Sequence, residues 1–262
     1  MTLYETIASR LVGTPLQAPA EWLRWLKGAP SRLRHPELGE LYVEDRRLDE
    51  VMRRAIRPAT NCVDVGCHLG TYLHKFVTLA PNGTHRAFEP VAHKAEWLRR
   101  KFPTVTVMQM ALGEATGTAE YFVYEDQTAY SGLAKSKEPG VTPEARQIEC
   151  RRLDDVVPQD AQVGFLKVDV NGGELGVLRG GRRVLMQDRP LVLLGCTQGG
   201  LTDYGLDSAQ VHAFLVDEVG YRIYLPKDHL AGGEPLSAAR FHETMQYPFQ
   251  AFNYIVEPGE RR

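Results

Sequence analysis

What this chain lacks narrows its function before any motif is read. No apolar run approaches the roughly 18 residues needed to span a bilayer, and Met1 to Arg10 lack the basic-then-apolar order of a signal peptide, so a soluble cytoplasmic protein without a membrane partner is expected. The four cysteines, Cys62, Cys67, Cys150 and Cys196, form neither a Cys-x-x-Cys pair nor a dense framework, which argues against zinc and against a secreted disulfide scaffold. No histidine stands at metal-ligand spacing from another, and no metal site is expected from cysteine or histidine. A surplus of positive charge is also missing. With 31 Lys and Arg against 33 Asp and Glu, a net charge of −2 and a pI near 6.5, the chain has no broad footprint for a phosphate backbone. An Asn-Pro-Pro-Tyr type motif is absent too, so nucleic acid is not an expected partner and a small or neutral substrate fits better.

The 262 residues, 43% of them hydrophobic, suffice for one substantial core. Residues 1–57 read as an N-terminal helical extension, with Trp22, Leu23, Trp25 and Leu26 grouped before the Gly28-Ala29-Pro30-Ser31 break. Such spacing predicts that the tryptophans pack the segment onto the core, or that it serves as a lid or an oligomer surface, a homodimer among the options. From Asn61 short apolar runs alternate with helical segments: strand 61–65, helix 70–80, strand 84–88, helix 91–102 and strand 104–110. That alternation predicts an α/β domain over 58–262, a doubly wound, mostly parallel sheet with crossover helices. A glycine-punctuated pair of segments near 112–124 follows, then a polar stretch, 125–147, that reads as a surface loop. A strand over Val163–Asp169 then leads through Gly172-Gly173 into a helix ending near Asp188. Strand 190–194, helix 207–219, strand 221–225, an irregular section to Tyr247 and strand 249–256 complete the sheet.

Asn61-Cys62-Val63-Asp64-Val65-Gly66-Cys67-His68-Leu69-Gly70 reads as a strand entering a glycine loop and a helix, and Phe88-Glu89-Pro90 as a second strand ending in a carboxylate. Together they predict a nucleoside-cofactor site. The Gly-x-Gly-x-x-Gly of a pyrophosphate loop is absent, and the acid Asp64 precedes the turn, which suits the cationic S-adenosylmethionine better than a dinucleotide. A nicotinamide-dependent oxidoreductase stays open at the level of fold. Gly66 and Gly70 allow close backbone approach, or simply form a tight turn. Glu89 can accept two hydrogen bonds from ribose hydroxyls, or can act as an acid at a helix start. Asp169 can orient or deprotonate a hydroxyl acceptor, hold a metal that does so, cap the next helix, or pair with Lys167 on its own face of the strand. His68 is a second candidate base and equally a cofactor or solvent contact, while Cys67 is a small loop filler. His74 and His93 read as helix-surface residues, and His229 and His242 fall in the irregular section expected to shape the acceptor site.

In their order along the chain, these segments resemble the FkbM-type methyltransferases, a branch of the class I, Rossmann-like, seven-stranded S-adenosylmethionine-dependent fold. The matching pieces are Val63 to Gly70, Ala87-Phe88-Glu89-Pro90, Ala111-Leu112-Gly113, Ser131-Gly132-Leu133, Leu153-Asp154-Asp155 and Phe165 to Glu174, within about residues 60–256. The resemblance implies O-methylation of a hydroxyl on a small sugar or natural-product metabolite. It also implies that Ala111 and Leu112 line the adenine region and that Tyr130-Ser131 approaches the methionine end. Two departures accompany it. Asn171 stands where the family usually has glutamate, and Gly195-Cys196 where a polar pair is common after strand five. If those acids bind a metal or activate the acceptor, their loss removes both charge and ligands and leaves a cofactor-binding protein with lost or altered catalysis as the alternative.

Overall fold

The computed structural model describes residues 10–124, 131–136 and 142–260. Its main sheet has seven strands in the order β3-β2-β1-β7-β8-β10-β9. These are β1 (Asn61–Val65), β2 (Arg86–Phe88), β3 (Thr106–Met108), β7 (Val163–Val168), β8 (Leu191–Gly195), β9 (Tyr221–Tyr224) and β10 (Asn253–Pro258). The pairs from β3 through β8 are parallel, whereas β10 runs antiparallel to both β8 and β9. The expected doubly wound, mostly parallel sheet is therefore present. Chain order runs outward from β1 to β3 on one side and resumes at β7 on the other, so the topological switch lies between β1 and β7.

Side-chain alternation divides the core between the two faces of the sheet. Val63 and Val65 of β1 join Leu166, Val168, Leu178 and Phe214 on one face. Cys62, Phe165, Leu73, Phe76 and Leu98 fill the other. Helix Glu44–Ala55 buries Leu48, Val51 and Met52 in this second cluster, so the later part of the N-terminal extension is built into the α/β core. The earlier part differs. Helix Gln17–Lys27 leaves Trp22 60% and Trp25 54% exposed, and the Arg32 guanidinium lies 4.1 Å from the Trp25 ring centroid. Packing of both tryptophans onto the core is thereby overturned.

Residues 112–151 also depart from expectation. Strands β4 (Ala111–Leu112), β5 (Gly117–Val123) and β6 (Glu144–Arg151) form a separate sheet in the order β4-β6-β5, so residues 144–147 are strand, not loop. Of the remaining stretch, 125–130 and 137–141 lie outside the described residues, and Tyr130 with them. Gly132 returns to bridge Phe122 on the β5 edge, through Phe122 N donating to Gly132 O at 2.8 Å and Gly132 N to Phe122 O at 3.1 Å. The helix expected to run to Asp188 is two helices, Glu174–Gly180 and Arg182–Gln187. Asp154 explains the break, because its two carboxylate oxygens accept from Arg183 N and Val184 N at 2.8 and 3.1 Å and cap a fresh helix start. The section expected to be irregular contains two short helices, Pro226–Ala231 and Ala238–Thr244.

Candidate active site

Beyond the carboxyl ends of β1, β2 and β7 opens a cleft of about 630 Å3. Gly66 forms its centre. The residue has φ +78, and a Cβ there would stand 2.0 Å from the Asp169 carbonyl oxygen, so only glycine lets the loop pass the end of β7. On the β2 side, the buried Glu89 carboxylate accepts from His68 N and Val91 N, both at 3.0 Å. Each oxygen thus holds one backbone hydrogen and retains capacity for another donor. Burial pushes its pKa up to about 7, opposed chiefly by the buried Lys94 ammonium. On the β7 side, the Asp169 carboxylate is 47% exposed and lines the same cleft.

Of the residues singled out from sequence, Gly66, His68, Glu89, Ala111, Leu112, Ser131 and Asp169 all line this cleft. Three do not. Asp64, expected beside a cationic ligand, is fully buried under the loop, where its Oδ1 lies 3.3 Å from Lys167 Nζ. Cys67 is buried, with its thiol directed to the Phe88 carbonyl at 3.4 Å, and burial holds its pKa well above the ordinary thiol range. Gly70 faces Phe102 and Leu98 and begins helix Thr71–Leu79 in a left-handed conformation. Asp64, Cys67 and Gly70 therefore support the loop from beneath.

Lys167 organises the floor. Its ammonium donates to the Gly66 carbonyl at 2.6 Å and the Val65 carbonyl at 3.3 Å, and lies 3.8 Å from Asp169 Oδ2. Burial works against its charge, but the Asp64 and Asp169 carboxylates outweigh it and raise its pKa. Asp169 is accordingly paired with Lys167 as well as facing the cleft. The cap on the following turn comes from Glu174, whose Oε1 accepts from Val170 N at 2.9 Å and Gly172 N at 3.1 Å.

Among the lining residues, Tyr204, Tyr121 and Lys94 had no sequence signal. Tyr204 closes one wall, its hydroxyl accepting from Leu133 N at 2.8 Å. Tyr121 and Lys94 line the cleft from β5 and from helix Ala92–Lys101. Asn171 donates through Nδ2 to the Ser131 carbonyl at 2.8 Å and so ties the end of β7 to the 131–133 wall. Gly195 leaves room for Asp169, since a Cβ there would stand 2.7 Å from Asp169 Oδ1. His229 and His242 do not join the cleft; the His242 ring is hydrogen-bonded to Ser208 at 2.9 Å. Among the described residues no cluster of three or more His, Cys, Asp or Glu could hold a metal.

This arrangement suits a nucleoside with a cationic tail. A buried carboxylate at the end of β2 can take a ribose diol, the small apolar side chains Ala111 and Leu112 can flank a base, and the negative charge of Asp169 opposes a phosphate.

The FkbM methyltransferase domain model matches residues 64–223, which run from the floor residue Asp64 through Tyr204 into β9. No curated protein matches the chain. Among solved structures, a methyltransferase FkbM from Methylobacillus flagellatus is 18% identical with a TM-score of 0.45, over 80% of this chain and 50% of that one. The chain thus spans half the length of that protein. A precorrin-6y C5,15-methyltransferase from Geobacter metallireducens is 16% identical with a TM-score of 0.39, over 68% of this chain and 71% of that one. A TehB-like SAM-dependent methyltransferase from Corynebacterium glutamicum is 12% identical with a TM-score of 0.36, over 94% and 100%. Because the domain match takes in most of the cleft's walls and more than half of the sequence, the chain belongs to the FkbM methyltransferase family.

Proposed function

We propose that the protein is an S-adenosylmethionine-dependent O-methyltransferase that methylates a hydroxyl of a small metabolite of sugar or natural-product type. One observation carries the reading: Glu89 and Asp169, at the carboxyl ends of the strands flanking β1, face a single cleft across Gly66. Glu89 would hold the ribose hydroxyls, Ala111 and Leu112 the adenine, and Gly66, His68 and Ser131 the methionine end. S-adenosylmethionine, when bound, supplies an electrophilic methyl group on a sulfonium. Asp169 orients the acceptor hydroxyl and takes its proton as the new C–O bond forms, with His68 as a second candidate base. Much of the rate enhancement then comes from alignment of donor and acceptor.

Lost catalysis is the second reading, and it rests on Asn171 and Gly195. The Asn171 amide is engaged with the Ser131 carbonyl, and Gly195 has no side chain, so neither supplies an acid to the acceptor. The four buried free cysteines support a cytoplasmic protein, and the exposed Trp22 and Trp25 support a lid or homodimer contact in the N-terminal helix. Among the described residues no helix is long and apolar enough to cross a membrane.

Calorimetric titration with S-adenosylmethionine, S-adenosylhomocysteine and NAD, with Glu89→Ala as control, tests the cofactor. Binding of only the adenosyl compounds, lost in the variant, supports the reading; binding of NAD alone overturns it. Labelled methyl transfer to a panel of hydroxyl compounds tests the reaction, and cofactor binding without any transfer favours lost catalysis.

A further inference from the structure

Helix Gln17–Lys27 turns its apolar side to water. At about 100° per residue, Trp22, Leu23, Trp25 and Leu26 fall within an arc of about 160°. All four are between 39% and 60% exposed. Leu16 before the helix and Leu33 after it are exposed too, so six of the nine large apolar side chains that the described residues expose lie between positions 16 and 33. Helix Ala29–Arg34 continues the segment, and the Arg32 guanidinium over the Trp25 ring ties the two helices together. Apolar side chains concentrated in this way mark a surface that meets a partner.

Charge identifies the partner. Residues 10–36 hold five basic side chains, Arg10, Arg24, Lys27, Arg32 and Arg34, against the single acid Glu21, a net charge of +4. The whole chain carries −2, so the rest of it carries −6. No membrane partner is expected from the average, which conceals this segregation. Lys27 and Arg34, each the last residue of its helix, are exposed. Beyond residue 36 the charges of the N-terminal extension serve the fold: Glu40 pairs with Arg47 at 2.8 Å and Lys227 at 3.2 Å, and Glu44 accepts from Phe252 N at 2.8 Å. The basic, aromatic stretch is thus joined to the body through an anchored base.

Exposed tryptophans alone fit a lid or a homodimer contact, but two copies meeting through this arc would bring two segments of +4 together. An anionic bilayer surface meets both conditions. Its phosphates attract Lys and Arg, indole rings favour the headgroup level, and leucines enter the acyl boundary. With 11 residues, helix Gln17–Lys27 is too short to cross the hydrocarbon and would lie along the surface.

We infer that residues 16–34 form a docking surface for an anionic membrane, with Trp22, Leu23, Trp25 and Leu26 at the headgroup boundary and Lys27 and Arg34 on the phosphates. The methyltransferase domain is thereby held at a membrane as a peripheral protein, whatever the acceptor in its cleft.

The test uses the intact chain with vesicles of phosphatidylcholine, alone or mixed with phosphatidylglycerol, followed by flotation and tryptophan fluorescence. We expect flotation with the mixed vesicles only, a blue shift in emission, and release by salt. Trp22→Ser with Trp25→Ser should abolish the shift, since the remaining Trp97 packs against Phe102, and should lower partitioning at least about tenfold. Lys27→Gln with Arg34→Gln should lower it about 25-fold, because each basic residue near an anionic leaflet contributes about fivefold. Both double variants should keep the wild-type melting temperature and S-adenosylhomocysteine affinity, as none of the four residues lines the cleft. No flotation with either vesicle, equal flotation with both, or flotation unchanged in the tryptophan variant would overturn the inference. Without flotation, a dimer in sedimentation that the tryptophan variant dissolves would give the arc to a second copy, and a blue shift on S-adenosylhomocysteine alone would give it to a lid; either result replaces the membrane.

Discussion

Asp64 on β1 and Lys167 on β7 are register partners in adjacent parallel strands, and their charged groups meet at 3.3 Å inside the sheet. Both side chains are almost wholly shielded from water, so neither charge is tolerable alone. Lys167→Met should destabilise the protein by about 3–5 kcal/mol, because it strands the Asp64 carboxylate. Adding Asp64→Leu should recover much of that loss by removing the orphaned charge. Urea denaturation of both singles and the double closes the cycle; equal instability of Lys167→Met and the double would show that the pair's electrostatics are not what holds the loop.

Glu89 should make cofactor binding depend on pH. Its carboxyl titrates near about 7, and the ionised form is the one able to accept from two ribose hydroxyls while still holding His68 N and Val91 N. As pH falls below that value, affinity for S-adenosylmethionine should fall about tenfold per unit, since protonation must be undone before binding. Calorimetry between about pH 5.5 and pH 8.5 measures this. A flat profile, or one that persists in Glu89→Gln, would remove Glu89 from the ribose site.

The contrast between Asp64 and Glu89 shows what could be read from the chain and what could not. Strands β1 and β7 are legible because strands buried on both faces leave continuous apolar runs, and a carboxylate just past such a strand stands out, as Glu89 and Asp169 do. Asp64 stands out equally, yet its place under the loop depends on register with Lys167 across about a hundred residues, which no local pattern records. Strand β6 escaped notice because Glu144–Arg151 is polar and mostly solvent-facing, so its pairing partner rather than its composition makes it a strand. Glu174, in the first turn of its helix, carries no local sign of its burial, which only the packed structure shows.

Gly195 should control where Asp169 points. An added methyl would stand 2.7 Å from Asp169 Oδ1 and 2.8 Å from Cγ, and Asp169 is exposed enough to swing aside. Gly195→Ala should therefore cost no more than about 1 kcal/mol of stability. A shift of about 1 Å at a group that orients the acceptor is expected to lower kcat about 100-fold, with cofactor affinity nearly unchanged. If turnover survives intact, Asp169 does not position the acceptor.

Burial of Glu174 should cost stability once its carboxyl ionises. Burial raises its pKa from 4.5 to about 7, so the folded state holds the proton more tightly than the unfolded chain does. Below pH 4.5 the carboxyl is protonated in both states and carries no penalty. Between 4.5 and about 7 the unfolded chain ionises first and stability declines, reaching its full loss above about 7. That interval corresponds to at most roughly 3 kcal/mol. Glu174→Gln, which retains the Oε1 contacts to Val170 N and Gly172 N, should therefore raise the melting temperature at pH 8 by several degrees. The gain should shrink steadily as pH falls through the same interval. Thermal melts of both proteins across that range test the sign directly: a variant less stable than wild type at pH 8 would mean that Glu174 is held by contacts to its ionised form.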